Sequence, residues 1–137
     1  MFHSQILILD VDSLCKEPTS IWPHLESMYK ASRSGEQVDA LEISAMHERL
    51  LLLVSDHRAK AELLNMLGDI CSKYHNSREV NALHRAVTIY SDAVQQARDY
   101  FEFIYWNDLG ICLAHSFKTM GDLSDLNRCI QVFDLYP

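Results

Sequence analysis

LNMLG at residues 64–68 is matched by WNDLG at residues 106–110, and the glycines that end the two segments lie 42 positions apart. Further along, LHRAVTIY at residues 83–90 is matched by LNRCIQVF at residues 126–133, at an offset of 43. Apolar residues recur at steps of three and four through these segments, which is the spacing of one face of an α-helix. A self-similar period of this length is typical of an α-helical repeat array.

Length, composition and charge narrow the class of protein. The chain has 137 residues, of which 48% are hydrophobic and 23% are charged, as expected for one globular domain. The formal net charge of −7 argues against nucleic acid as a partner, because a phosphate backbone requires clustered Lys and Arg. This charge favours basic or neutral partners.

Neither a membrane span nor a signal peptide is expected from the sequence. The longest purely apolar run, residues 50–54, is far shorter than a membrane-spanning helix. The start of the chain lacks the basic segment of a signal peptide, and Asp10 and Asp12 interrupt its apolar stretch. We therefore predict a cytoplasmic protein with no membrane partner.

The cysteines and histidines do not show the spacing of a metal site. No C-x-x-C pair is present, and His47-Glu48 lacks the second His of a metalloprotease helix, since Leu51 occupies that position. We expect no metal and no cofactor, and we expect reduced, mostly buried thiols in an intracellular protein. The four cysteines are Cys15, Cys71, Cys112 and Cys129.

The helical pattern predicts a single domain of three antiparallel helix pairs. No proline interrupts the chain between residues 23 and 137, as an all-helical domain requires. The first pair lacks the Leu-Gly signature and is interpreted as a degraded repeat. The predicted segments are an irregular N-terminal segment at residues 1–19, the degraded repeat at 20–54, and full repeats at 56–97 and 99–136.

Local features of the sequence predict helix ends and close packing at particular positions. Ser55 or Asp56 is the expected N-cap of the first full repeat, and Gly121-Asp122 should end one helix and cap the next. A glycine inside a helix costs about 1 kcal/mol relative to Ala, so its presence in both copies predicts that another helix's backbone or a large side chain approaches closely. Trp106 is expected to be buried between its hairpin partner and the preceding repeat.

The paired signatures resemble those of tetratricopeptide repeats. W-x-x-L-G at residues 106–110 and C-x-x-x-F at 129–133 are similar to the W-x-x-L-G and A-x-x-x-F of that family. L-x-x-L-G at 64–68 and A-x-x-x-Y at 86–90 form the first copy. HEAT and armadillo repeats share the period of this chain but lack these two residue patterns.

The period departs from that of ordinary tetratricopeptide units, which run about 34 residues. The excess of about eight or nine residues corresponds to a little over two helical turns, so each hairpin can lengthen while its signature faces stay inward. Units of this length, with G-D-L-x-D-L-x-R-x-I as at residues 121–130, look like those of large fungal proteins. There they accompany NTPase modules or a caspase-like CHAT protease domain.

The resemblance implies an all-α fold, an α-α superhelix of stacked antiparallel helix hairpins. It also implies a noncatalytic scaffold for protein–protein interaction, with a groove that binds a peptide or a neighbouring domain. A solvated helix face accounts for the same groove positions equally well. The groove residues carried over by position, from the first helix of each pair, are Glu62, Asn65, Asp69, Ser72, Lys73, Ile104, Asn107, Ile111, Ala114 and His115.

Two further features bear on which partner is expected. A clamp for a peptide's terminal carboxylate requires several Lys or Arg, and only Lys73 qualifies among the groove positions, so such a carboxylate is not the expected ligand. Apolar residues around Phe133 near the end of the last repeat predict self-association through that end. The alternative function is a structural segment of a larger signalling or protease-linked repeat protein, without a ligand of its own.

One enzymatic alternative remains at the start of the chain. I-L-I-L-D-V-D at residues 6–12 resembles the first motif of haloacid-dehalogenase-type magnesium phosphotransferases. That resemblance implies Asp10 as the nucleophile and Asp12 as the general acid. The chain has Ser13-Leu14 where the family has Gly-Thr, and nothing downstream predicts its parallel α/β sheet. We therefore do not expect an enzyme.

Overall fold

A computed structural model describes residues 21–36, 38–73, 80–97 and 102–135. Within these ranges all of the regular secondary structure is α-helical and no strand occurs, which confirms the all-α fold class. The helices, in chain order, are α1 (Ile21–Arg33), α2 (Ala40–Leu53), α3 (His57–Lys73), α4 (Val80–Ala97), α5 (Glu102–Met120) and α6 (Leu123–Leu135).

Aspartate side chains cap two of the helices as the sequence predicted. Asp56 Oδ2 accepts a hydrogen bond from Ala59 N at 2.9 Å, so Asp56 rather than the serine before it caps α3. Asp122 Oδ1 accepts from Ser124 N at 2.9 Å and caps α6. Gly121, with φ at +72°, takes the left-handed conformation that ends α5.

Two tight hairpins form the centre of the molecule. α3 packs along α4 and α5 along α6, while α4 also packs against α5, so these four helices form one continuous stack. α1 and α2 each contact α3 more extensively than they contact each other. The segment predicted as a degraded repeat therefore contains a looser helix pair that rests on the first full hairpin.

Side-chain hydrogen bonds link the second helices of successive pairs. His47 Nε2 of α2 lies 2.7 Å from Asp92 Oδ2 of α4. Arg128 Nη2 of α6 donates to Ser91 Oγ of α4 at 3.1 Å. These polar contacts supplement one buried apolar cluster to which all six described helices contribute. Fully burying one large aliphatic side chain contributes about 1.5–3 kcal/mol, so this cluster is the main stabilising term.

The two signature glycines face aromatic rings from the second helix of their own hairpin. A Cβ atom built on Gly68 would lie 2.6 Å from Cε1 of Tyr90, and one on Gly110 would lie 2.7 Å from Cζ of Phe133. Both distances are shorter than any relaxed carbon–carbon contact. The close neighbour that the sequence predicted is therefore a large side chain rather than a helix backbone, and it is the signature aromatic in both copies.

Trp106 is less enclosed than the sequence predicted. Its side chain packs against the main core but is only partly buried, whereas Leu64, at the matching position of the first copy, is completely buried. The difference follows from the neighbours of the two helices. α3 is covered by α1, α2 and α4, while α5 packs mainly against α4 and α6. The expectation of a fully buried indole is corrected accordingly.

The last helix leaves apolar side chains on the surface. Leu123, Ile130 and Phe133 of α6 are 67%, 50% and 36% exposed. In the described residues α6 packs chiefly on α5, where part of the Phe133 ring lies on Gly110, so Leu123, Ile130 and the remainder of that ring are uncovered. An uncovered apolar face at this end of the stack is what the sequence led us to expect.

Gly68→Ala should destabilise the fold more than Gly110→Ala. The added methyl group displaces Tyr90, which is 3% exposed, and such overpacking costs about 1–3 kcal/mol. The better helix propensity of Ala returns about 1 kcal/mol. At Gly110 the opposing ring is Phe133, which is 36% exposed and can turn outward, so the same substitution should be nearly neutral.

Urea titrations of the two glycine variants and the wild-type chain measure this difference directly. The Gly110→Ala variant is the matched control, because both substitutions add one methyl group to the same position of the repeat. A midpoint for Gly68→Ala equal to or above that of Gly110→Ala would contradict the packing described above.

Candidate functional site

A cleft of about 320 Å³ opens between α3 and α5, with α4 contributing part of its wall. Its volume is at the lower end of the range of about 300–1,000 Å³ found for ligand pockets. The wall combines apolar side chains with hydroxyl, carboxyl and imidazole groups. The lining residues are Ser72, Leu83, Tyr90, Asp108, Ile111, Cys112 and His115.

Three of the predicted groove residues lie in this cleft. Ser72, Ile111 and His115 line it, and Ile111 is 56% exposed. Asp69 is connected to the cleft through the hydroxyl group of Tyr90. The structure therefore brings these three residues together at one cleft.

The other predicted groove residues are distributed differently. Glu62 and Asn65 are buried, at 4% and 1% exposure, so they belong to the interior of the hairpin stack. Asn107 is exposed, whereas Ile104 and Ala114 are partly buried, and none of the three lines the cleft. The side chain of the remaining position, Lys73, lies outside the described part of the structure.

Sequence analysis missed the cleft residues Leu83, Tyr90, Asp108 and Cys112. Two of them, Leu83 and Tyr90, come from α4. The resemblance to tetratricopeptide repeats pointed only to the first helix of each pair, so α4 was not expected to contribute. Tyr90 had a signal in the sequence, since it is the aromatic residue of the repeat signature. Its hydroxyl group extends beyond the ring that packs on the glycine, and the repeat signature specifies only that ring.

A hydrogen-bond network holds the Tyr90 hydroxyl at the cleft wall. The hydroxyl donates to Asp69 Oδ1 at 2.6 Å. Ser72 Oγ lies 3.2 Å from both the Tyr90 hydroxyl and the Asp69 carbonyl oxygen, and can donate its single hydrogen to either. Burial, and then the negative charge of Asp69, raise the pKa of the Tyr90 phenol, so the hydroxyl stays protonated and remains a donor.

A second hydrogen bond connects the first helices of the two hairpins. Asn65 Nδ2 of α3 donates to Asp108 Oδ2 of α5 at 2.9 Å. Burial raises the pKa of the Asp108 carboxyl group, and the bond from Asn65 offsets only part of this effect. Among the described side chains, the ion pairs are formed by other residues and none includes Asp108.

The thiols are protonated and shielded. Cys71, Cys112 and Cys129 are buried and free, which confirms this part of the prediction, while Cys15 lies outside the described ranges. Burial raises the pKa of Cys71 to about 11 and that of Cys112 to about 12. Since the thiolate is the reactive form, Cys112 contributes an apolar surface to the cleft and not a nucleophile.

Metal-binding clusters and membrane-spanning helices are both absent from the described ranges. No group of three or more His, Cys, Asp or Glu side chains there could hold a metal ion. No helix in those ranges is long and apolar enough to cross a membrane. Asp10 and Asp12, which carry the phosphotransferase resemblance, lie outside the described residues.

Comparison of the chain with protein-family models, with curated proteins and with solved structures finds no match. The internal repeat, the helix packing and the cleft are therefore the features from which function is inferred.

Tyr90→Phe should destabilise the fold by about 1–2 kcal/mol, because the partly buried Asp69 carboxylate loses its hydroxyl donor. Tyr29→Phe is the matched control, since its hydroxyl accepts a bond from Arg33 on the exposed surface, and it should cost about 0.5 kcal/mol or less. Thermal and urea unfolding of both variants measure the two losses. Equal losses would show that the Tyr90 hydroxyl has no special role in the fold.

Asp108→Asn should make the fold more stable than wild type at neutral pH. The folded-state pKa of Asp108 is raised above its unfolded value, so the native state binds that proton more tightly. Wild-type stability therefore falls as pH rises from the unfolded pKa through the raised folded pKa. Asn does not titrate, and its amide oxygen can still accept the bond from Asn65.

Urea midpoints of Asp108→Asn and wild type across the acid to neutral range measure this effect. The advantage of the variant should be smallest at acid pH and should grow as pH rises. A difference between the two midpoints that is independent of pH would contradict the desolvation of Asp108.

Proposed function

We propose that the chain is a noncatalytic protein-interaction module, in which tetratricopeptide-like hairpins present the cleft between α3 and α5 to a peptide or a neighbouring domain. The observation that carries this proposal is the cleft itself, which lies between the first helices of two successive hairpins. In tetratricopeptide repeats, which the two signatures resemble, ligand grooves occupy this place. The glycine–aromatic contact repeated in both hairpins supports the assignment of two equivalent units.

The chemistry of the cleft suits a polypeptide. Ile111 offers an exposed apolar contact, and His115 beside it is also exposed. Ser72 and Tyr90 add hydroxyl groups that are held in place by the Asp69 network. An apolar wall with a few fixed polar groups is the usual composition of a specific binding site.

A second candidate function is structural, as a segment that stacks on another helical unit and has no ligand of its own. The exposed Leu123, Ile130 and Phe133 of α6 favour this reading, because the terminal face of a repeat stack is normally polar. A further repeat, or a second copy of this chain, would cover them. These residues and the lining residues of the cleft are different ones, so the two functions are compatible.

Peptide selection on the intact chain tests the interaction function. Peptides from a random display library are selected against the wild-type chain, and their affinities are measured by titration calorimetry for wild type, Ile111→Ala and Leu52→Ala. Leu52 is 74% exposed on α2, which makes its truncation the matched control. Loss of the Ile111 side chain should weaken binding about tenfold, as expected when about 1.5 kcal/mol of apolar contact is removed, while the control should not change it.

The outcomes separate the two candidate functions. Peptides that bind the wild type and both variants equally would exclude the cleft as their site. If no peptide is selected, and sedimentation shows concentration-dependent association that Ile130→Ala reduces, the structural role is the better description.

A further inference from the structure

We propose that the cleft receives the side chain of a lysine from a partner polypeptide, with the Asp108 carboxylate pairing with its ammonium group; this rests on the interaction function proposed above. Asp108 lines the cleft, and its only described hydrogen bond is the one that Oδ2 accepts from Asn65 Nδ2. The carboxylate thus has an oxygen left to accept from a cation. No described ion pair supplies that cation.

The burial of Asp108 explains why a cation is the favoured occupant. Taking a carboxylate out of water is costly unless the charge is compensated, and one amide donor compensates it only partly. Asp69, also acidic, accepts the hydrogen bond of the Tyr90 hydroxyl, and the chain as a whole has a net charge of −7. An anionic ligand would meet repulsion here, whereas an ammonium group would meet its complement.

Further acceptors are available for an ammonium group. It carries three donors, and Asp108 uses one or two of them. The Tyr90 hydroxyl gives its hydrogen to Asp69, so its oxygen retains a lone pair that can accept from the ligand. Asp108 and Tyr90 line the same cleft. Ser72 Oγ, 3.2 Å from the Tyr90 hydroxyl, is a third acceptor at the same wall.

The apolar lining fits the stem of lysine. Ile111 supplies the accessible apolar surface beside Asp108, while Leu83 and Tyr90 also line the cleft but are 0% and 3% exposed. A lysine buries its four methylene groups along apolar surface while its charged end reaches a polar group. Arginine fits less well, because its planar guanidinium prefers to engage both oxygens of a carboxylate, and Oδ2 of Asp108 is already bonded to Asn65.

The test uses small probes and the amide resonances of the intact chain. Nα-acetyl-lysine methylamide is titrated into the labelled protein and followed by two-dimensional NMR, in parallel with the norleucine and arginine compounds. Norleucine has nearly the same stem without the ammonium group. The lysine probe should give saturable shifts at Ser72, Ile111 and His115, and the norleucine probe should bind about tenfold or more weakly, as expected when a charge-assisted bond is lost.

Two protein variants distinguish a specific Asp108–lysine ion pair from unspecific attraction to the negatively charged chain. Asp108→Asn removes the charge but keeps an oxygen for Asn65, and it should weaken lysine binding about tenfold or more. Glu48→Gln removes one charge from an exposed position on α2, and it should leave the affinity unchanged because distant exposed charges are screened. Matching thermal unfolding transitions show that both variants are folded.

Several results would overturn the proposal. Equal binding of the lysine and norleucine probes would show an apolar site, and equal losses in the two variants would show unspecific attraction. Tighter binding of the arginine probe would overturn the choice of lysine. If selected peptides depend on Ile111 but the lysine probe does not bind, this proposal fails and the interaction function stands. If the probe binds but no peptide depends on Ile111, the assignment to a polypeptide is overturned.

Discussion

Both hairpins contain the same contact, an aromatic ring packed on a helical glycine, and the fold depends on it most at Gly68, where the ring is buried. Tyr90 lies on Gly68 and Phe133 lies on Gly110, at distances that leave no room for a Cβ atom. This contact lets the two helices of a hairpin approach closely. The packing that it allows offsets the unfavourable helix propensity of glycine. The hairpins in turn stack through α4 and α5, so the rest of the core is built on this repeated pairing.

Tyr90 connects this core contact to the candidate site. Its ring packs on Gly68, while its hydroxyl group bonds to Asp69 and lines the cleft between α3 and α5. The matching residue in the second hairpin, Phe133, has no hydroxyl and is 36% exposed on α6. The two copies therefore share the glycine–aromatic contact, but only the first has a hydroxyl group on its aromatic residue. Only that residue, Tyr90, lines the cleft described here.

A contact between the two hairpins positions the charged group in the cleft wall. Asn65 and Asp108 come from the first helices of different hairpins, and their hydrogen bond places a partly buried carboxylate in the cleft wall. The raised pKa of Asp108 shows that the surroundings compensate its charge incompletely. Asp108 lines a cleft and lowers the stability of the fold, which makes it a candidate for ligand contact. Functional sites often contain such destabilising groups.

The sequence by itself determined the helical class, the two hairpins from α3 to α6 and the cap at Asp122. It also determined that a neighbouring group approaches Gly68 and Gly110 closely. These features follow from periodicity and glycine placement, which act locally along the chain. The sequence also indicated Ser72, Ile111 and His115, which line the cleft. Only the tertiary structure decided that Asp108 and Tyr90 line it too, that Asn65 is buried, and that Trp106 is only partly so. These properties depend on which helices cover α3 and α5, and one repeat's pattern carries no information about its neighbours' side chains.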